Sequence, residues 1–185
     1  DAQINQAFCP VASSAAVLNS LRGKIQLPQD PVYVPFPWAT QTQLIQNSCV
    51  RTNIYDVDEM QHVFFGMGLE MAQDLLNCQL ADQGYAATAF RVDPKTTSAK
   101  QVRAALVDAL QDENARAMIN YDRGGIGQGV YGHGHFSPIG AYNADIDAFL
   151  VMDVAKYKYP PVWVPVSRLM GGIGSVDQCS VFRYP

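Results

Sequence analysis

Apolar positions along the chain follow two periods. In the first part the period is helical. Val11, Ala15 and Leu18, widened by Val17 and Leu21, make one apolar stripe; Leu69, Ala72, Leu76 and Leu80 make another, which Gly84 terminates. Pro10 suits the first helical position of the earlier stripe, where its missing N–H has no partner to lose. Residues 27–37 carry four prolines and predict an extended segment crossing a surface, with Tyr33, Phe36 and Trp38 as an apolar wall. Residues 42–49 predict a short helix, and residues 53–65 are irregular. Further on, residues 85–92 predict a strand, and Ser98 caps a helix to about Leu110 with Val102, Ala105, Leu106 and Ala109 as its buried stripe. Residues 115–121, 135–142 and 148–154 read as strands, the last two joined by turn-forming residues into a hairpin. Helices first and mostly antiparallel strands afterwards make an α+β fold: one domain, with a helical lobe over about 1–84 and a β-sheet lobe over about 85–185.

Composition narrows the function by exclusion. The chain has 185 residues, a net charge of −4 and no run of Lys and Arg, which argues against nucleic acid or an anionic membrane surface as partner. No apolar run reaches the length of a membrane span. Asp1 stands only two residues before the first chemistry-bearing position, which is the expectation for a processed or trimmed leader.

The four cysteines, Cys9, Cys49, Cys78 and Cys179, form no C-x-x-C pair and fit neither a disulfide scaffold nor a structural zinc site. Cys78, beside Met71 and Leu75 on a helix, reads as packing; Cys49 and Cys179 carry no signal. Residues 122–134 contain six glycines but no G-x-x-x-x-G-K, so a phosphate loop is rejected in favour of close backbone approach to a ligand or a flap. His62 has no partner at ligand spacing and reads as structural or exposed. His133 and His135 share a strand face without a third ligand, so no metal site is expected there, and His133 reads as a loop residue at a cleft rim.

Cys9 is different. It stands where a loop meets the first turn of a helix, and the helix dipole there favours thiolate over thiol. A lone cysteine is more often a small core residue; two other positions change that reading. A hairpin turn centred on Ala144 makes His135 and Asp153 direct partners on one face, close enough for an imidazole–carboxylate bond, and a turn centred one residue later staggers the two but leaves them near neighbours. Asp153 also follows the apolar run Phe149, Leu150, Val151 and Met152, where an unpaired carboxylate would be expensive. Nucleophile, base and orienting group are then Cys9, His135 and Asp153. Gln3 and the Cys9 backbone N–H would supply an oxyanion hole.

Gln3 through Leu21, with its Q-x-x-x-x-F-C-x-V-A-S-S core, Gly134-His135-Phe136-Ser137-Pro138, Met152-Asp153-Val154, and the run Tyr157-Lys158-Tyr159-Pro160-Pro161-Val162-Trp163-Val164 resemble the phytochelatin synthases of the papain-like cysteine peptidase superfamily. The resemblance runs from Gln3 to about Arg183 and is weak over residues 28–68. It implies a papain-like fold with Cys9, His135 and Asp153 as triad and Gln3 as oxyanion donor. It also implies glutathione as substrate, glycine release through a γ-glutamylcysteinyl thioester, and γ-Glu-Cys or short phytochelatins as product. Asn120 and Gly134 fall beside the acyl group, and Asp177 with Arg183 at the γ-glutamyl end. No cofactor is required; cadmium or zinc enters as a metal-thiolate co-substrate. Pro10 replaces the family's glycine after the nucleophile. The resemblance is to the short bacterial members, without the Cys-rich C-terminal extension of the plant type, and the expectation is therefore a bacterial protein of the cytoplasm or periplasm, assembled as a homodimer. Two rival readings are a papain-like peptidase acting on other peptides and a heavy-metal binding protein using Cys9 and His135. Metal binding alone would leave Gln3 and Asp153 without a role.

Overall fold

Helix α1 (Cys9–Ser20) is buried on nearly every side, not along one stripe: every residue from Cys9 to Ala15 is enclosed, as are Val17, Leu18 and Asn19. The structure, a computed structural model, describes residues 2–53, 67–129 and 134–175. The sequence readings at His62, His133, Asp177, Cys179 and Arg183 lie outside those residues. Two compact units divide the chain, residues 1–89 and 90–185. Among the described residues, six helices and one four-stranded antiparallel sheet make an α+β fold. No helix among them is long and apolar enough to cross a membrane.

In the first unit α1 packs against α2 (Gln41–Gln46) and α4 (Leu69–Leu80), with α3 (Ser48–Asn53) joining α2 to α4. Val11, Ala15, Leu18, Leu44, Val50 and Leu75 are among its buried apolar residues. The helix expected over 42–49 is two helices, broken at Asn47, whose extended ψ of 132° ends α2 and whose side chain accepts from Cys49 N at 2.9 Å. Pro10 is the second helical residue, after Cys9. Residues 27–37 do not run extended: Tyr33 N bonds to Asp30 O and Phe36 N to Tyr33 O, a tight excursion closed by the Trp38 N to Pro28 O bond.

Among its described residues the unit has no sheet, so its non-helical backbone needs other partners. Side-chain amides supply them, since an Asn or Gln offers the same donor and acceptor as a peptide group. Asn19 exchanges two bonds of 2.8 Å with the N–H and C=O of Ala39, and Gln41 holds Ile4 N at 3.1 Å and Ala2 O at 2.8 Å. The strand expected over 85–92 is absent for the same reason. Its backbone pairs with helix α4 instead, Ala87 with Asn77 through both groups and Ala89 N with Gln73. Asn19→Ala is expected to destabilise the protein by about 2–4 kcal/mol, because two buried backbone groups lose their partners. The measurement is the urea midpoint at unchanged m-value.

Cys49 and Cys78 are joined as a disulfide between α3 and α4. The helix around Cys78 is as expected, but the thiol is not packing. The sequence separation of 29 between the two cysteines hid a pairing that only the approach of two helices creates.

The second unit is built on the sheet β1 (Met118–Asp122), β2 (Gly134–Asn143), β3 (Ala148–Val151) and β4 (Val162–Pro165), ordered as in the chain. Its core face carries Ile119, Tyr121, Ile139, Phe149, Val151 and Val164. Helices α5 (Ala99–Gln111) and α6 (Val166–Ile173) cover that face, and α6 had no sequence expectation. Ser98 caps α5 in a reciprocal box with Gln101. The stripe that α5 presents is Ala99, Val102, Leu106 and Leu110; Ala105 is exposed, on the side of the helix turned away from the sheet.

Candidate active site

Asp153 lies just past the end of β3 and is completely enclosed, at 0% exposure. A carboxylate there survives only if its lone pairs are filled. They are. Oδ1 accepts from His135 Nε2 at 2.9 Å and from Ala155 N at 2.7 Å, and Oδ2 accepts from Arg123 Nη1 at 2.8 Å. Arg123 Nη2 reaches Oδ1 at 3.3 Å, and the Tyr121 hydroxyl reaches Oδ2 at 3.4 Å. Burial alone would raise the carboxyl; bonds from His135 and Arg123, with their charge, outweigh it and hold the group at about 2. Asp153 is thus ionised across the physiological range.

His135 is 4% exposed, on β2, directly opposite Tyr121 of β1, whose ring meets the imidazole edge-on at a centroid distance of 5.5 Å. An ionised carboxylate can only accept, so Nε2 carries the hydrogen. The neutral imidazole therefore keeps its lone pair on Nδ1. Burial lowers the His135 pKa; the bond to Asp153 works against it and the nearby Arg123 charge works with it. Burial, together with the buried Asp153 charge, also raises the Tyr121 phenol, which stays neutral beside it.

The hairpin that joins these residues is not the one centred on Ala144; the pair is staggered, as a turn one residue later would leave it. Its turn lies between Asn143 and Ala148, which pair, so Ala144 is at the start of the turn and not its centre. Left at that, the slip would carry Asp153 to the face opposite His135. The ladder shifts between Ile139 and Ala141, a bulge at Gly140, after which Ile139 pairs with Val151 and Met152 N bonds to Pro138 O. Continuing that register sets Asp153 across from Ser137. His135 is then the diagonal neighbour on the same face, within reach of a long side chain.

Cys9 opens α1 and is buried, its sulfur outside any disulfide. The first turn of α1 begins after Phe8, and Pro10 contributes no N–H to it. Gln3 is buried in the same unit, its Nε2 donating to Gln6 O at 3.2 Å, and the Gln41 clamp on Ala2 and Ile4 fixes the backbone on either side. Asn120 pairs with Phe136 and so faces the opposite side of the sheet from His135 and Tyr121, while Gly134 opens β2 opposite Asp122. Among the described residues no three His, Cys, Asp or Glu side chains are placed to hold a metal ion.

The glycine-rich turn after β1 packs against the protein itself. A Cβ on Gly125 would stand 2.6 Å from Gly172 Cα in α6, so the close backbone approach at this glycine is helix to loop and not loop to ligand. Two contributors to the site had no sequence expectation, Arg123 and Tyr121. Arg123 carried one usable signal: a buried carboxylate has about four acceptor positions and a single imidazole fills one.

The phytochelatin synthase family profile matches residues 1–183. Glutathione gamma-glutamylcysteinyltransferase 1 of Arabidopsis thaliana is 33% identical over 176 residues, which are 95% of this chain and 32% of that protein. Glutathione gamma-glutamylcysteinyltransferase 3 of Lotus japonicus is 30% identical over 178 residues, 96% of this chain and 33% of that one. The glutathione gamma-glutamylcysteinyltransferase of Schizosaccharomyces pombe is 27% identical over 179 residues, 96% of this chain and 38% of that one. The chain spans about a third of the length of these curated relatives.

Proposed function

The chain belongs to the phytochelatin synthase family, and we propose that it is a cysteine-nucleophile γ-glutamylcysteinyl transferase and hydrolase acting on glutathione, with a papain-like arrangement of Cys9, His135 and Asp153. The observation that carries the reading is the buried His135 Nε2–Asp153 Oδ1 bond of 2.9 Å, which leaves Nδ1 as the proton-transfer atom. The names of the relatives, glutathione gamma-glutamylcysteinyltransferases, supply the substrate.

In this reading His135 Nδ1 takes the proton of the Cys9 thiol, giving a thiolate–imidazolium pair, and Cys9 Sγ attacks the carbonyl carbon of the Cys–Gly peptide bond. The Gln3 amide and the Cys9 N–H hold the oxyanion that forms. His135 passes its Nδ1 proton to the glycine nitrogen, the C–N bond breaks, and glycine leaves a γ-glutamylcysteinyl thioester on Cys9. Neutral His135 then takes a proton from a water, or from the amine of a second glutathione, as that group attacks the thioester carbon; the C–S bond breaks, Cys9 leaves as thiolate, and the product is γ-Glu-Cys or a chain longer by one γ-Glu-Cys unit. Asp153 keeps the ring in the Nε2–H form and steadies the imidazolium. Asn120 and Gly134 flank the acyl group; Asp177 takes the γ-glutamyl ammonium and Arg183 its carboxylate through a bidentate fork. Cadmium or zinc takes part as a thiolate complex of the substrate, which ties the activity to heavy-metal response.

Hydrolysis is expected to exceed extension. A second glutathione competes with water only if its amine is held against the acyl carbon, a positioning worth roughly 7–11 kcal/mol when complete. Mass spectrometry of the protein with millimolar glutathione, with and without cadmium, tests both statements. The expected result is one γ-glutamylcysteinyl adduct and free γ-Glu-Cys ahead of oligomers. Oligomers in excess would make the protein a synthase first; activity on ordinary peptides without an adduct from glutathione would make it a peptidase.

A further inference from the structure

We infer that Arg123 is a positioning residue of the proposed site: its guanidinium clamps the Asp153 carboxylate so that Asp153 orients His135 without capturing the imidazole's charge. The inference rests on the preceding reading for its catalytic meaning but not for its geometry.

The geometry is a built clamp. Arg123 bonds both oxygens of a fully buried carboxylate, and its own side chain is only 12% exposed. A further N–H of Nη1 goes to Gln128 Oε1 at 3.1 Å, and the guanidinium carbon sits 4.7 Å from the centroid of the Tyr159 ring. Tyr159 is delivered there by the same short turn that holds Asp153. Ala155 donates its N–H to Asp153 Oδ1 and accepts from Lys158 N and Tyr159 N. The Tyr157-Lys158-Tyr159 run thus acquires a physical role, closing a ring over the arginine.

The loop that carries Arg123 is fixed as firmly. It leaves β1 at Asp122, whose Oδ1 holds Gly125 N at 3.0 Å; Gln128 N bonds to Arg123 O at 2.7 Å; and Gly125 is pressed against α6 without room for a Cβ. None of these contacts needs a ligand. They aim one side chain at one carboxylate.

The consequence is electrostatic. An arginine in a protein is permanently charged, and a carboxylate shared between guanidinium and imidazole cannot give its full attraction to either. The charged and titratable groups that act on His135 are Asp153, which favours the imidazolium, Arg123 and Lys158, which oppose it, and neutral Tyr121 across the pair. A base that must both accept a proton and release it to a leaving amine is best held as a weak one. Asp153 alone would make His135 too reluctant to give the proton back.

The test is the titration of the His135 ring by NMR, its signals among the three histidines identified by their loss in His135→Gln. Arg123→Met keeps length and removes charge, and should raise the His135 midpoint by about half to one pH unit. Arg123→Lys should restore most of the wild-type value. In an Asp153→Asn background the Arg123→Met shift should shrink to well under half, because the carboxylate that couples the two is gone. An unmoved midpoint, or an equal shift in the Asp153→Asn background, overturns the inference. If Arg123→Met does not fold, Tyr159→Leu loosens the guanidinium without touching Asp153 and should move the midpoint in the same direction by less; no movement overturns it. On glutathione the alkaline limb of kcat/KM should rise in parallel. A protein whose His135 midpoint shifts as expected but which never turns over glutathione retains this inference and loses the proposed substrate. One that turns over glutathione with an unmoved midpoint loses only the inference.

Discussion

Cys9→Ser releases no measurable glycine from glutathione and forms no adduct, a fall in kcat of at least about four orders of magnitude. A serine hydroxyl titrates far above a thiol, so neither a helix N-terminus nor a neighbouring imidazole makes it an anion at neutral pH. The fold should survive, since the change is one atom at the first residue of α1 and that helix is held through Asn19 and by burial on nearly every side. Thermal melting and a glycine assay on the same preparation decide it; glycine release at more than a thousandth of the wild-type rate would remove Cys9 as nucleophile. The paired variant Cys49→Ser with Cys78→Ser is the control. It opens the link between α3 and α4 and should cost about 3–4 kcal/mol by the loop-entropy account, while the rate per folded molecule stays within a few-fold.

Asp153→Asn gives the second large effect, a drop in kcat of about 10⁴ with little change in substrate affinity. The carboxamide has one oxygen where the carboxylate has two, and both of its neighbours, His135 Nε2–H and Arg123, are donors. If the amide N–H₂ faces His135, the ring must present a bare Nε2 and carry its hydrogen on Nδ1, which removes the lone pair the reaction needs. If it faces Arg123, two sets of donors meet and a guanidinium is left without its anion. Leaving a buried charge unpaired costs about 3–5 kcal/mol, so the loss of stability at neutral pH should be as plain as the loss of rate.

The pH dependence separates the two losses. Asp153 has its carboxyl lowered from 3.8 to about 2, so the unfolded chain binds the proton first. The stability this contributes is complete above 3.8 and is lost as pH falls through about 2, a change on the order of 2 kcal/mol. The asparagine variant should lack that step. His135, also lowered, is harder to protonate folded than unfolded. Its part of the stability is present above 6.5 and declines as pH falls below it toward the folded value. Urea midpoints from pH 2 to pH 7 for both proteins check these signs, and a wild-type protein with no change between pH 4 and pH 2 would mean that Asp153 is not the paired carboxylate described here.

The structural parts that could be read from the chain are those set by a short window. The helical periods of α1 and α4, the Ser98 cap with Gln101 at the third helical position, and the turn of Asn143 to Asp147 between two apolar runs all depend on residues a few places apart. So does the oddness of Asp153, a carboxylate at the end of four apolar residues. That position announced a buried partner, and His135 was the partner found.

What the sequence by itself determined, then, was the helix-then-strand order, the helix that begins at Cys9, and the pairing of one histidine with one aspartate. What only the tertiary structure decided was everything that depends on which distant segment arrives next to which. Arg123 meets Asp153 across 30 residues, Cys49 meets Cys78 across 29, and Asn77 takes the backbone of Ala87 and so leaves no strand there. The register of β2 on β3 shows the reason most clearly. Side chains in a strand alternate faces, so the four-residue turn of the hairpin would by itself have put Asp153 on the wrong side of the sheet. The bulge at Gly140, where a Cβ would come within 2.9 Å of Met152, brings it back to the face of His135. Local pattern specifies that a residue is buried; the partner it is buried against is chosen by chain topology, one register step at a time.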